Sequence, residues 1–147
     1  AVGVPGQWLG GRAADKFGAK KVLVATMAGV FFSLLSLLLT PISTVGLAIF
    51  ILLYGIGFYA HQPAINSLTG FLSPFDQQGA VYGVFFFTSF GIGSLSQSIT
   101  GYFGDLYGLD VAFYLLAVFA LAALLISFKL PEKREIKSQE SAVSSIK

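Results

Sequence analysis

The chain has 147 residues; 55% of them are hydrophobic, 11% are charged, and the formal net charge is +2. Soluble domains carry roughly 25% charged residues, so this composition indicates a membrane protein. The chain has no cysteine and a single histidine, which excludes disulfides and a cysteine nucleophile, and we expect neither a metal site nor a cofactor. Its basic residues flank apolar segments rather than forming one patch, so we expect no nucleic-acid partner.

The first element is a short apolar segment followed by a cluster of charges. Residues 1–10 are too few to cross about 30 Å of hydrocarbon, and no basic segment precedes them as in a signal peptide. We therefore expect them to be the end of a helix that starts upstream, and the chain to be a fragment. The charge cluster lies between Gly11 and Lys21 and holds four of the nine basic residues; the next basic residue is Lys129.

Long apolar runs follow the charge cluster and predict four membrane spans, at about residues 22–39, 45–72, 80–103 and 111–128. An even number of spans places both basic clusters on one face, which the positive-inside rule assigns to the cytoplasm. Residues 1–130 are then the transmembrane part, and the charged, Ser-rich residues 131–147 are predicted to be a flexible cytoplasmic tail. The expected fold is an all-α helical bundle, integral to a plasma (inner) membrane.

Polar side chains concentrate in the second and third spans, whereas the first and the last are almost entirely apolar. Polar groups in hydrocarbon favour contact with other helices or with a water-filled cavity. The second and third spans are therefore predicted to be central, and the first and last to face lipid. The candidate residues of a substrate or proton pathway are Tyr54, Tyr59, His61, Gln62, Asn66, Thr88 and Gln97.

On the second span, Tyr59, Gln62 and Asn66 follow helical spacing and make one polar stripe. Pro63 cannot donate a backbone hydrogen bond, so we predict a helix break at the Tyr59 carbonyl, beside the stripe. A break inside a bilayer is tolerated where protein or a water-filled cavity satisfies the backbone. His61 titrates in the physiological range and is a candidate proton carrier; the favoured alternative is a neutral histidine that is hydrogen-bonded between helices.

The segment of residues 6–18 recurs in similar form at residues 96–108. Three predicted spans separate the two copies, which places them on opposite faces of the membrane. An inverted three-span repeat is typical of secondary transporters, in which two units rock about a site near the midplane. The identical pairs are Gln7/Gln97, Gly11/Gly101, Asp15/Asp105 and Gly18/Gly108.

The charge cluster resembles the loop signature of the major facilitator superfamily, roughly G-x-x-x-D-R-x-G-R-[KR]-[KR]. Lys16 stands for the usual Arg, and Ala19 departs from the pattern. The matching residues are Gly11, Asp15, Gly18, Lys20 and Lys21. Residues 73–83 are similar to a second loop of the family, P-x-[DE]-x-R-G, in which Gln78 replaces the Arg. The residues that fit this second loop are Pro74, Asp76 and Gly79.

The resemblance covers about residues 1–130 and implies that the chain runs from the end of the eighth helix through the twelfth helix of a transporter. It implies secondary active transport of a small organic solute by alternating access, with proton coupling left open. The implied partners are the lipid bilayer, a small-molecule substrate and a missing N-terminal half. Drug antiporters of the family often have Gly-Pro where this chain has Gln97 and Ser98, which argues against that subgroup.

The resemblance also implies a cytoplasmic gating loop that latches the two halves of the transporter. The alternative is that the same residues only form a turn and set the topology. The residues of this loop are Gly11, Asp15, Lys16, Gly18, Lys20 and Lys21.

Two other functions compete with transport. A membrane sensor or scaffold on the same fold would move no solute. An intramembrane enzyme needs paired carboxylates or a nucleophile with its base at one depth. Asp105 and Asp110 lie in one predicted loop, and His61 has no evident nucleophile beside it. We therefore expect that the protein is not an enzyme.

Overall fold

In a computed structural model of the protein, the described residues are 3–39 and 43–131. They form five α-helices with short connections, and a 3-10 turn, Phe75–Gln77, leads into the fourth helix. The predicted tail from Glu132 onward lies outside the described residues, as does the polar break at Pro41. The helices are α1 (Gly3–Phe17), α2 (Ala19–Leu39), α3 (Thr44–Leu72), α4 (Gln78–Tyr107) and α5 (Leu109–Phe128).

Helices α2 to α5 are each long and apolar enough to cross a membrane, by length and composition. Together they contain the four apolar runs of the sequence. Inside such a helix the backbone amides and carbonyls bond to each other, which hydrocarbon requires because it offers no hydrogen-bond partner. The expectation of an all-α membrane bundle is confirmed. Helix α1, with 15 residues, is shorter than a full span.

Helix α1 packs on α3 through small side chains. The buried residues of α1 recur every fourth position, and α3 presents a matching row. A Cβ atom at Gly10 would stand 2.7 Å from the Cα atom of Ala60, so the two backbones nearly touch there. Small residues permit this approach, and van der Waals packing then holds helices together in lipid. The facing rows are Gly6, Gly10 and Ala14 on α1, and Ala60, Ala64 and Leu68 on α3.

Two clusters of buried apolar side chains hold α2 in the bundle. The first joins α1, α2 and α3, and the second joins α2 to α5. Helix α2 is therefore the element around which α1, α3 and α5 assemble. The first cluster is Ala14, Val22, Leu23 and Ala64. The second is Val30, Leu34, Ala117 and Ala120.

The end of α5 lies beside the connection between α1 and α2. Leu130, which follows α5, packs against the first buried cluster together with Ala13 and Ala19. Lys129 and Lys20 are the neighbours of these residues in the chain, so both lie at the same end of the bundle. This placement agrees with an even number of spans between the two basic clusters.

The two copies of the repeat turn the chain in the same way. Gly18 joins α1 to α2 with a φ of 95°, and Gly108 joins α4 to α5 with a φ of 97°. The N–H of each glycine donates to the carbonyl oxygen four residues earlier, at 3.0 Å for Ala14 and 2.9 Å for Gly104. A positive φ is strained for residues that carry a side chain, which explains the glycine at both positions.

The chain around these glycines is more helical than the sequence predicts. In place of a gating loop over residues 11–21, the structure has the last turns of α1, Gly18 as a single connecting residue, and the first turn of α2. Residues 104–110 likewise form a helix end, Gly108 and a helix start rather than a loop. One glycine with positive φ suffices to redirect the chain, so no further loop residues are needed.

Helix α3 runs unbroken through Pro63, from Thr44 to Leu72, and not with the break that the sequence predicts. The missing N–H removes only the bond to the Tyr59 carbonyl, and the backbone bonds on either side keep the helix intact. The proline faces α1, where a Cβ atom at Gly11 would stand 3.8 Å from the Pro63 Cβ.

Burial is distributed differently from the sequence expectation. Within the described residues, α2 and α5 each supply several buried side chains, whereas α4 buries only Thr100. Helices α3 and α4, which we expected to be central, therefore expose large faces that no other described part of the chain covers. The reason is that the burial of a helix depends on which other elements pack against it. The polar residues of α3 and α4 do not by themselves determine this.

We expect Gly10→Ala to destabilise the bundle, because the added methyl group would meet the backbone of Ala60, which cannot move aside like a flexible side chain. Overpacking of this kind costs about 1–3 kcal/mol. Thermal unfolding of the purified full-length protein in detergent, followed by circular dichroism, should show a lower midpoint. Gly29→Ala is the matched control, because a Cβ atom there meets no atom within 4 Å. Equal midpoints for the two variants would contradict the packing of α1 on α3.

Candidate functional site

A hydrogen bond between the side chains of two glutamines joins α1 to α3. The Nε2 atom of Gln7 on α1 donates to the Oε1 atom of Gln62 on α3, at 2.9 Å, and both side chains are exposed. Gln62 is one of the predicted pathway residues, but Gln7 was not among them. The sequence does contain one indication of Gln7, because the repeat aligns it with Gln97, a predicted pathway residue.

Tyr59 lies one turn from Gln62 and also faces α1. A Cβ atom at Gly3 would stand 3.1 Å from the Tyr59 ring, and one at Gly6 would stand 3.0 Å from the Tyr59 Cβ. The tyrosine therefore lies over the glycine face of α1 and fills the space that the missing side chains leave. The structure thus brings Tyr59, Gln62 and Gln7 together at the α1–α3 contact.

Tyr54 and His61 belong to a row of aromatic rings along α3. Ring centroids are 5.4 Å apart for Phe50 and Tyr54, and 5.7 Å apart for Tyr54 and Phe58. The His61 ring continues the row at 5.4 Å from Phe58, and its Nδ1 atom contacts the Phe58 carbonyl oxygen. His61 therefore packs as the last ring of this row, with its Nδ1 atom against the backbone of its own helix.

Asn66 marks the point where α3 meets α4. The Tyr82 hydroxyl donates to the Asn66 backbone oxygen at 2.7 Å, and the Gln78 side chain donates to the Gly70 carbonyl at 3.4 Å. These bonds tie the end of α3 to the start of α4. They leave the Asn66 side chain itself outside the contact.

The two candidates on α4 are not brought to the polar stripe of α3. Thr88 and Gln97 are both exposed, and no hydrogen bond joins either side chain to another described residue. Further along α4, the hydroxyl of Thr100 is buried and has no hydrogen-bond partner among the described residues. The described chain therefore gathers its site on α1 and α3.

The predicted gating residues surround a cavity of about 700 Å³, which we call the corner cavity. It is lined by residues 14–21 and by Ser67, Leu68 and Phe71 of α3. Five of the six predicted gating residues lie in this wall; Gly11 lies instead against Pro63. Within the described ranges, no three His, Cys, Asp or Glu side chains are grouped as a metal site would need.

The Gln7–Gln62 pair can lie only in certain environments within a membrane. Each glutamine amide offers two donors and an acceptor, so the single bond between Gln7 and Gln62 leaves donor and acceptor atoms of the pair unused. An unsatisfied polar group in hydrocarbon costs several kcal/mol, so such groups face protein or a wet cavity. The arrangement suits the binding of a polar solute inside a bundle.

The comparison with known families agrees with this geometry. The family model described as Major Facilitator Superfamily matches residues 1–146. No curated protein and no solved structure matches the chain significantly. Because the family model spans nearly all of the sequence, the chain belongs to the Major Facilitator Superfamily of membrane transporters.

Proposed function

We propose that the chain is part of a secondary active transporter that moves a small organic solute by alternating access, with α1 and α3 lining the route. The observation that carries the proposal is the exposed Gln7–Gln62 pair on helices of a membrane bundle. Its unused donor and acceptor atoms lie side by side, a pattern that suits a solute with hydroxyl or amide groups.

The depth of the pair supports this assignment. Helix α3 has 29 residues, which at a rise of 1.5 Å gives a length of about 43 Å. Gln62 lies one turn from its central residue, Phe58, hence about 6 Å from the middle of the helix. Substrate sites of secondary transporters lie near the bilayer midplane. A polar pair at the membrane surface would carry no such meaning.

The uncovered faces of α3 and α4 support a partner for the bundle. We assign this partner to the N-terminal half of the same transporter, which the resemblance in sequence implies. Thr88 and Gln97 would then face the route from the α4 side, across from the α1–α3 pair. The polar residues at the corner cavity would act as the cytoplasmic gate between the two halves.

We expect Gln62→Ala to lower the affinity for the solute by about tenfold, since a lost hydrogen bond is worth about 1–1.5 kcal/mol. Gln7→Ala should have a similar effect, because both amides belong to one pair. The measurement is uptake into vesicles that contain the full-length protein, with a panel of labelled sugars, amino acids and nucleosides used first to find the solute. The apparent KM then follows for each variant.

The matched control for this experiment is Gln78→Ala, which removes a glutamine amide that bonds to the Gly70 carbonyl away from the pair. Unchanged affinity in Gln62→Ala and Gln7→Ala would remove the site from α1 and α3. If a solute binds but is not transported, the protein would instead be a sensor on the same fold.

For His61 we propose the structural role, because its ring extends the aromatic row of α3 and its Nδ1 atom contacts the Phe58 carbonyl oxygen of the same helix. His61→Asn keeps a donor near the position of Nδ1 but cannot titrate. We expect its uptake to keep the same dependence on external pH as the native protein. Loss of that dependence in His61→Asn, with the variant still folded and inserted, would instead assign a transported proton to His61.

A further inference from the structure

The corner cavity has a wall that combines cations with apolar side chains. Lys16, Lys20 and Lys21 line it, and Asp15 is the one carboxylate in the wall. Leu68 lies on the side of α3. A cavity of about 700 Å³ is large enough for a phospholipid headgroup and the start of its acyl chains.

The described part of the chain does not neutralise the charges of this wall. Among the described residues, no hydrogen bond or ion pair joins Asp15 to any of the three lysines. Lys16 lies over the ring of Phe17, with Nζ 5.3 Å from the ring centroid, and both residues line the cavity. Three lysines against one carboxylate leave the wall with an excess of positive charge.

The second copy of the repeat carries the opposite charge at the same place. Asp110 occupies the place in α5 that Lys20 occupies in α2, counted from Gly108 and Gly18. The first turn of α5 therefore contains a carboxylate, whereas the first turn of α2 contains none. Cations in the first turn of a helix are unfavourable because the helix dipole is positive there. The α2 corner thus needs a negative charge that the described chain does not supply.

The position of the cavity favours a lipid as the source of that charge. It lies at helix ends, where a bilayer places its headgroups, and at the end of the bundle that also holds Lys129. The neighbouring Phe17 is 59% exposed. Basic pockets between membrane helices bind anionic headgroups, while apolar side chains below them contact the acyl chains.

We propose that the corner cavity binds the phosphate group of an anionic membrane lipid, held by Lys20 and Lys21 against the wall formed by Leu68 and Phe71. The site is separate from the solute route at Gln7 and Gln62. Lys20 and Lys21 also belong to the proposed gate, but lipid binding can be measured without transport, and bound lipid would stabilise the α1–α2 corner.

The test uses the full-length protein in lipid nanodiscs of phosphatidylcholine, with and without phosphatidylglycerol, and counts the retained anionic lipids by native mass spectrometry. Replacing both lysines by glutamine (K20Q with K21Q) should lower retention, by about fivefold for each lysine. The conservative pair K20R with K21R should keep it. Lys129→Gln is the matched control at the same end of the bundle, outside the cavity wall, and should retain lipid like the native protein.

Three results would overturn the proposal. The first is equal retention of phosphatidylglycerol by the native protein and by the double variant K20Q with K21Q. The second is equal loss in Lys129→Gln, which would indicate general surface attraction. The third is thermal stabilisation by inorganic phosphate with none by phosphatidylglycerol, which would assign the site to a soluble phosphate compound. If the double variant K20Q with K21Q fails to fold, the salt dependence of the native protein is the test. Its retention of phosphatidylglycerol should weaken as the salt concentration rises, because salt screens charges.

Discussion

Hydrocarbon contains no hydrogen-bond donor or acceptor, so a polar group inside the bundle is stabilised only where protein or water offers it a partner. The hydroxyls of Thr26, Ser33 and Ser127 bond to carbonyl oxygens of their own helices, so they can lie inside a membrane at little cost. The amides of Gln7 and Gln62 bond instead to each other across two helices. This one bond leaves further donor and acceptor atoms of the two amides without a partner, so the pair needs a polar environment and is the candidate site.

The packing of α1 on α3 is what lets this pair form. Gln7 follows Gly6 in the chain, and Gln62 lies between Ala60 and Ala64, so both amides flank the rows of small residues. With larger side chains in those rows, the helices would stand further apart and the amides would not reach each other. The small residues thus set the distance between the two amides.

The sequence predicts the long-range organisation well and the local contacts less well. The apolar runs indicate the four spans, and the repeat correctly pairs Gly18 with Gly108, whose φ values nearly coincide. The Gln7–Gln62 bond joins positions 55 residues apart, so no local pattern could reveal it. The break expected at Pro63 is absent because one missing bond does not open a helix. The burial of α3 and α4 depends on what packs against them, and the polarity of their own residues does not reveal that.

We infer that the chain crosses the bilayer four times and that both cationic ends lie on one face. The chain has no cysteine, so single cysteines at Lys20, Lys129 and Asp105 can be labelled in a cysteine-free version of the full-length protein. A membrane-impermeant thiol reagent, added to right-side-out and to inverted vesicles, reports the side of each. We expect the cysteines that replace Lys20 and Lys129 to react from the cytoplasmic side, and the cysteine that replaces Asp105 to react from the other side. Reaction of the cysteines at positions 20 and 129 from opposite sides would contradict this topology.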